Sequence, residues 1–171
     1  IRGDELYYIN FEKDVFIDED VDLKPIYDIL KIFLNRCDSY QIKSLKEDIN
    51  SKKIVEEFAV YTNENGYELI FQGIVDDEFK KVILDNLIGD SALNFMGINL
   101  YDDGILKLEI LNYGSEVYIY GFDAKSVVKF SEELESIYGI KDLNVYMDES
   151  EGENNQEHHN HTHNCDCSRD N

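Results

Sequence analysis

Histidine is missing from the first 157 residues, and all four copies fall between His158 and His163. That absence removes Ser-His and Cys-His nucleophile pairs, histidine general bases and a histidine-ligated metal centre from the body of the chain. Other signatures are missing as well: no GxxxxGK phosphate loop, no GxGxxG after a strand, no HExxH, no GxSxG and no CxxC. Cysteine is scarce, with three in 171 residues. One of them, Cys37, lies on an apolar helix face, which argues against a disulfide scaffold and for a reducing compartment. No apolar run approaches the roughly eighteen residues of a membrane span. The opening IRGDELYYINFEKD has neither the basic start nor the apolar stretch of a secretory signal. These absences predict a cytoplasmic protein with no membrane segment.

Basic residues are few. Sixteen Lys and Arg stand against 37 Asp and Glu, for a formal charge of −21. Residues 148–171 hold seven acids and one arginine, which leaves the body at −15. Such a field repels nucleic acid, so no direct nucleic acid binding is expected, and it speeds encounter with a basic protein partner. Apolar content is 43%, enough for a real core. One domain over residues 1–147 is the natural expectation at this length.

The most legible folding unit runs from Leu106 to Tyr138. Leu106, Leu108 and Ile110 alternate with Lys107, Glu109 and Leu111, the period of a half-buried strand. Gly114-Ser115 is a turn signal. The return strand sets Val117 and Ile119 on one face and Glu116, Tyr118 and Tyr120 on the other. Asp123 suits a helix cap, Val127, Phe130, Leu134, Ile137 and Tyr138 make one apolar stripe, and Gly139 sits where a left-handed stop belongs.

The rest reads in the same terms. Residues 5–11 and 15–18 alternate as a hairpin would. The carboxylates of Asp18, Asp20 and Asp22 copy the start of a calcium loop, but Leu23 and Ile29 stand where that loop needs Gly and Glu, so a solvated acidic loop is expected. The single proline, Pro25, opens a helix striped by Ile26, Ile29, Leu30, Phe33, Leu34 and Cys37. Residues 41–50 read as a second helix through Ile42, Leu45 and Ile49. Lys43, Lys46, Lys52 and Lys53 make a small basic island read as solvated helix surface. A strand around Phe58, Val60 and Thr62 turns through Asn63-Glu64-Asn65-Gly66 into Tyr67–Gly73, and a helix carries Phe79, Val82, Ile83 and Leu87. Residues 92–101 and the Leu143, Val145, Met147 alternation predict two further strands. The segments at about 57–89 and 105–139 share a hairpin-then-helix plan and are candidates for related units. The fold class expected is α+β, a mostly antiparallel sheet built from hairpins with three to four packing helices and a disordered C-terminal tail.

After Met147 the composition changes, and residues 148–171 contain no aliphatic or aromatic residue. Such a segment cannot bury enough surface to offset its ordering entropy. Within it His158, His159, His161, His163, Cys165 and Cys167 nearly alternate. Imidazole and thiolate suit Zn, Ni or Cu, and the spacing matches no structural zinc module, so an adaptable site is expected. Over those ten positions the tail resembles the His/Cys-rich tails of bacterial nickel- and zinc-handling proteins.

The function expected from these residues is a non-enzymatic acidic protein-binding module of inhibitor, immunity or adaptor type, with a transition-metal-binding tail. Glu116, Tyr118 and Tyr120 are its candidate contact residues. Two alternatives stand beside it: metal buffering or delivery through the tail, and a carboxylate-dependent hydrolase drawing on the body's many acids. Calorimetry with zinc and nickel checks the tail. The full chain is expected to bind, a chain ending at residue 147 is expected to lose that binding, and unchanged affinity after truncation refutes the assignment.

Overall fold

A strand that alternates apolar and polar residues can bury only one side. Strands paired in register therefore pool their apolar sides into a single face. The computed structural model, which describes residues 6–17, 20–59 and 61–148, is organised by that rule. Its elements in chain order are β1 (Tyr7–Glu12), α1 (Lys24–Leu34), β2 (Ser39–Leu45), α2 (Ile49–Glu56), β3 (Tyr61–Asn65), β4 (Glu68–Ile74), α3 (Asp77–Asp85), β5 (Gly97–Asp102), β6 (Ile105–Leu111), β7 (Glu116–Phe122), α4 (Ala124–Ser136) and β8 (Asn144–Met147). All eight strands join one sheet in the order β3-β4-β2-β5-β6-β7-β1-β8, and every neighbouring pair is antiparallel. The α+β class expected from the sequence is thus the observed one, with four α-helices among the described residues.

The inward face is continuous across the sheet. Phe71 pairs with Ile42, Ile42 with Ile98, Ile98 with Ile110, and Ile110 with Val117, and Val117 with Phe11. These residues share one buried core with Ile26, Ile29, Leu30, Phe33 and Leu34 of α1, Phe79 and Ile83 of α3, and Val127, Phe130 and Leu134 of α4. The helices begin where the sequence supplies caps. Asp76 accepts from the Phe79 amide at 2.9 Å, and Asp123 forms a reciprocal capping box with Ser126. Gly139 adopts φ +67° after α4, the left-handed stop expected of it.

Three readings of the sequence are corrected. Residues 41–50 are not a helix: Ser39–Leu45 is the strand β2, with Tyr40, Ile42 and Ser44 buried, and helix α2 starts later at Ile49. Ile42, Leu45 and Ile49 satisfy helical spacing, but the inward face uses Ser44, whose hydroxyl meets that of Ser51 on α2 at 2.9 Å. A buried polar residue with its own partner hides a period of two. Lys43 consequently projects from a strand, whereas Lys52 and Lys53 lie on α2. Residues 15–17 do not pair back on β1, which instead lies between the distant strands β7 and β8. Phe58 belongs to the turn after α2, where its ring meets Tyr40 and Phe79, so the strand starts at Tyr61 and turns at Gly66-Tyr67.

The connection between β6 and β7 carries the most unusual backbone. Asn112, Tyr113 and Gly114 all have positive φ, at 51°, 60° and 95°. Two non-glycine residues in the left-handed region are held by neighbours: the Tyr113 amide donates to Met96 O, the Leu93 amide donates to Tyr113 O, and the Asn112 carboxamide donates to Glu116. A Cβ on Gly114 would stand 2.9 Å from Leu93 Cγ in addition to its backbone strain. Gly114→Ala is expected to cost about 2–3 kcal/mol, read as a lowered urea midpoint. Gly104→Ala, at φ +79° but facing open space, is expected to cost about 1 kcal/mol.

Candidate functional site

Alternation puts polar and aromatic side chains on the face opposite the helices. In-register pairing makes a row there of Gln72, Gln41, Asn99, Glu109, Tyr118, Asn10 and Asn144, each from a different strand. The carboxamides are tied down locally. Gln72 Nε2 donates to Gln41 Oε1 at 3.2 Å, Asn99 Nδ2 to the Tyr101 hydroxyl at 3.3 Å, and Asn10 Nδ2 to Val117 O at 3.2 Å. Asn10 and Asn99 are buried despite lying on this face.

At the β6-β7-β1-β8 side the face becomes aromatic. Tyr118 and Tyr120 are two residues apart on β7, so they project from the same side, and their rings stack with centroids 6.3 Å apart and planes at 12°. Tyr8 of β1 touches both, at 6.3 Å and 5.5 Å, and reaches Tyr146 of β8 at 5.3 Å. Carboxylates anchor the phenols: the Tyr118 hydroxyl donates to Glu116 Oε1 at 3.1 Å and the Tyr120 hydroxyl to Glu109 Oε1 at 2.8 Å. The structure therefore brings the three sequence-selected residues Glu116, Tyr118 and Tyr120 together and adds Tyr8, Tyr146 and Glu109. The additions share one cause. Strand parity shows which side of its own strand a residue faces, whereas the neighbour across the ladder is set by long-range pairing. The selected tail residues His158, His159, His161, His163, Cys165 and Cys167 lie outside the described residues, as do Asp18 and Glu19 of the acidic loop. Among the described residues no group of His, Cys, Asp and Glu is arranged to hold a metal ion.

A cleft of about 480 Å³ opens at the end of the sheet where β5 finishes, β6 starts and β7 finishes. The end of α1 contributes Phe33 and the adjoining Arg36, and α4 contributes Ser126, Lys129, Phe130 and Glu133, four positions on one helix face. Asp102, Lys107, Tyr120, Gly121 and Phe122 complete the wall. Cys37 adjoins this corner, and its thiol is pushed up to about 11, first by burial and then by the Asp102 charge. It is a buried hydrophobe at neutral pH rather than a nucleophile, although it lies three residues past the end of α1 and not on the helix stripe where the sequence placed it. No sequence motif announces the cleft, because its cations come from positions 36, 107 and 129.

No protein-family model, curated protein or solved structure matches the chain. Among the described residues no helix is long and apolar enough to cross a membrane.

The tyrosine face makes a prediction at alkaline pH. Burial first, and then the bond to Glu109, raise the Tyr120 phenol well above its ordinary 10.0; Tyr118 is raised by burial and Glu116, and Tyr40 is pushed up to about 12 by burial. The fold thus favours the protonated phenols. Their contribution to stability is complete below pH 10 and is lost as pH rises through the folded values, because the unfolded chain releases those protons first. Tyrosinate absorbance is expected to rise later in the folded protein than in urea, and Tyr120→Phe is expected to flatten the alkaline loss of stability. Coincident titration curves in the two states would refute the assignment.

Proposed function

We propose that this chain is a non-catalytic, cytoplasmic binding module that uses its acidic-aromatic sheet face to engage a basic protein, in the manner of an inhibitor, immunity protein or adaptor. The observation that carries the reading is the cluster of Tyr8, Tyr118, Tyr120 and Tyr146 edged by Glu109 and Glu116. Tyrosine gives a large contact area for little lost side-chain freedom, and its ring face attracts Arg and Lys. The carboxylates beside the Tyr118 and Tyr120 phenols offer the same cation charged acceptors. The face is also partly prepaid in order, since ring stacking and hydrogen bonds already fix the Tyr118 and Tyr120 positions. Tyr146 is 47% exposed on the short strand β8, so the cluster reaches the surface. The overall charge of −21 favours fast encounter with a positively charged target.

Two other readings each have one support. Metal buffering or delivery rests on the donor set from His158 to Cys167. A carboxylate-dependent hydrolase rests on Asp102 and Glu133 lining one cleft. The tyrosine face is favoured because its groups are already held in a mutual arrangement suited to cations.

Affinity capture on the immobilised full chain at low and moderate salt tests the proposal. A basic protein is expected to be retained, with retention falling as salt rises. A Tyr118→Ser, Tyr146→Ser double variant with an unchanged circular dichroism spectrum is expected to weaken it about tenfold or more. Retention that ignores both substitutions, or no basic partner at either salt, overturns the reading.

A further inference from the structure

The end-of-sheet cleft gathers three cations and two acids in a chain that is otherwise strongly acidic. Arg36, Lys107 and Lys129 all line it, in a protein where acids outnumber bases by 37 to 16. None of the three forms an ion pair among the described residues, although Asp102 and Glu133 share the cleft with them. Lys24, Lys46, Lys80 and Lys81 each have a carboxylate within 4 Å, whereas the other described lysines, like the cleft cations, have none, so what distinguishes the cleft is that three such cations share it. Unpaired cations brought together in a strongly acidic chain are what an anion site looks like before its anion arrives.

Two of the cations are placed by packing rather than by charge. The Arg36 guanidinium lies over the Phe33 ring, 5.4 Å from its centroid. Lys107 runs alongside Gly121, whose φ is +93° and whose absent Cβ would stand 3.0 Å from Lys107 Nζ. Glycine there lets the ammonium lie against the backbone of β7. The third, Lys129, projects from the same face of α4 as Ser126 and Glu133.

The remaining lining identifies the kind of anion. The floor is the rim of the core, where Phe33, Phe122 and Phe130, only 4–8% exposed, pack on one another with the Phe130 centroid 6.2 Å from Phe33 and 5.3 Å from Phe122. An inorganic ion would leave that floor and most of the volume unused, whereas 480 Å³ lies in the range that encloses a small organic ligand. Asp102 and Glu133 are acceptors for donor groups on the ligand's body, and Tyr120 supplies one side wall.

We propose that this cleft binds an aromatic organic phosphate of nucleotide size, with its ring against Phe33, Phe122 and Phe130 and its phosphate among Arg36, Lys107 and Lys129. The site is separate from the contact residues Tyr8, Tyr118 and Tyr146, and meets the tyrosine face only through Tyr120. It is a binding site, and no reaction is assigned to it.

Amide NMR of the full chain tests this with three probes: adenosine monophosphate, adenosine and inorganic phosphate. The monophosphate is expected to shift the amides of Lys107, Gly121 and Lys129 saturably, with a dissociation constant on the order of 0.1–1 mM that weakens with salt. Adenosine and phosphate alone are expected to bind about tenfold or more weakly, since each meets only half of the site. Lys129→Gln, an exposed and unpaired position, is expected to weaken the monophosphate several-fold, and adding Lys107→Gln is expected to weaken it about tenfold or more while leaving distant amides in place. The proposal is overturned by the absence of saturable shifts at those residues up to about 5 mM monophosphate. Unchanged affinity in the double variant overturns it as well. Phosphate or adenosine binding as tightly as the monophosphate also overturns it, because either result removes one half of the argument.

Discussion

The register of the antiparallel ladder is the constraint on which everything else here depends. Side chains alternate with a period of two, so a slip of one residue between β6 and β7 would exchange Val117 and Ile119 for Tyr118 and Tyr120 beneath α4. The core, the polar row and the tyrosine cluster are therefore consequences of one alignment. Burial of Ile110, Val117 and Phe11 fixes that alignment from the helix side. The opposite face inherits its order without having to stabilise it.

The extent to which this was readable from the sequence follows the range of the interactions involved. Helix α4 was legible because cap, stripe and stop all lie within its own residues, from Asp123 to Gly139. Strand β7 was legible because Val117 and Ile119 alternate cleanly with tyrosines. Strand β2 was not, since its inward Ser44 is satisfied by Ser51 across the α2 contact and looks polar in isolation. The partners of β1 were hidden for a different reason: nothing in Tyr7–Glu12 names strands more than a hundred residues away. The same limit applies to function. Glu116, Tyr118 and Tyr120 could be chosen from one strand, but Tyr8 and Tyr146 join them only across the ladder, and the three cations of the cleft meet only in the fold.

The two hairpin-helix segments illustrate how one local plan serves separate ends. Each presents a glycine near the end of its return strand, Gly73 in β4 and Gly121 in β7. Gly73 lies under the ring of Tyr40, its partner on β2, and that ring stacks on Phe79 at 3.8 Å. Its missing side chain makes room for an aromatic in the core. Gly121 is exposed, takes positive φ and makes room for an ammonium at the mouth of a cleft. Similar sequence spacing thus supports packing in one segment and charge placement in the other.

The two ends of the sheet carry a consequence for behaviour at high concentration. An end strand is a template on which further strands can add, and long, flat, apolar ends are the usual start of fibres. Here β8 is only four residues long, follows Asp142 in a left-handed turn and runs into Asp148. At the other end β3 finishes as Asn63-Glu64-Asn65. The one acid of β3, Glu64, is paired with Lys46, while β8 carries no acid and exposes Val145, Tyr146 and Met147, so β8 is the more apolar of the two templates. What limits growth at that end is length, since four residues give a further strand only a short ladder to pair with.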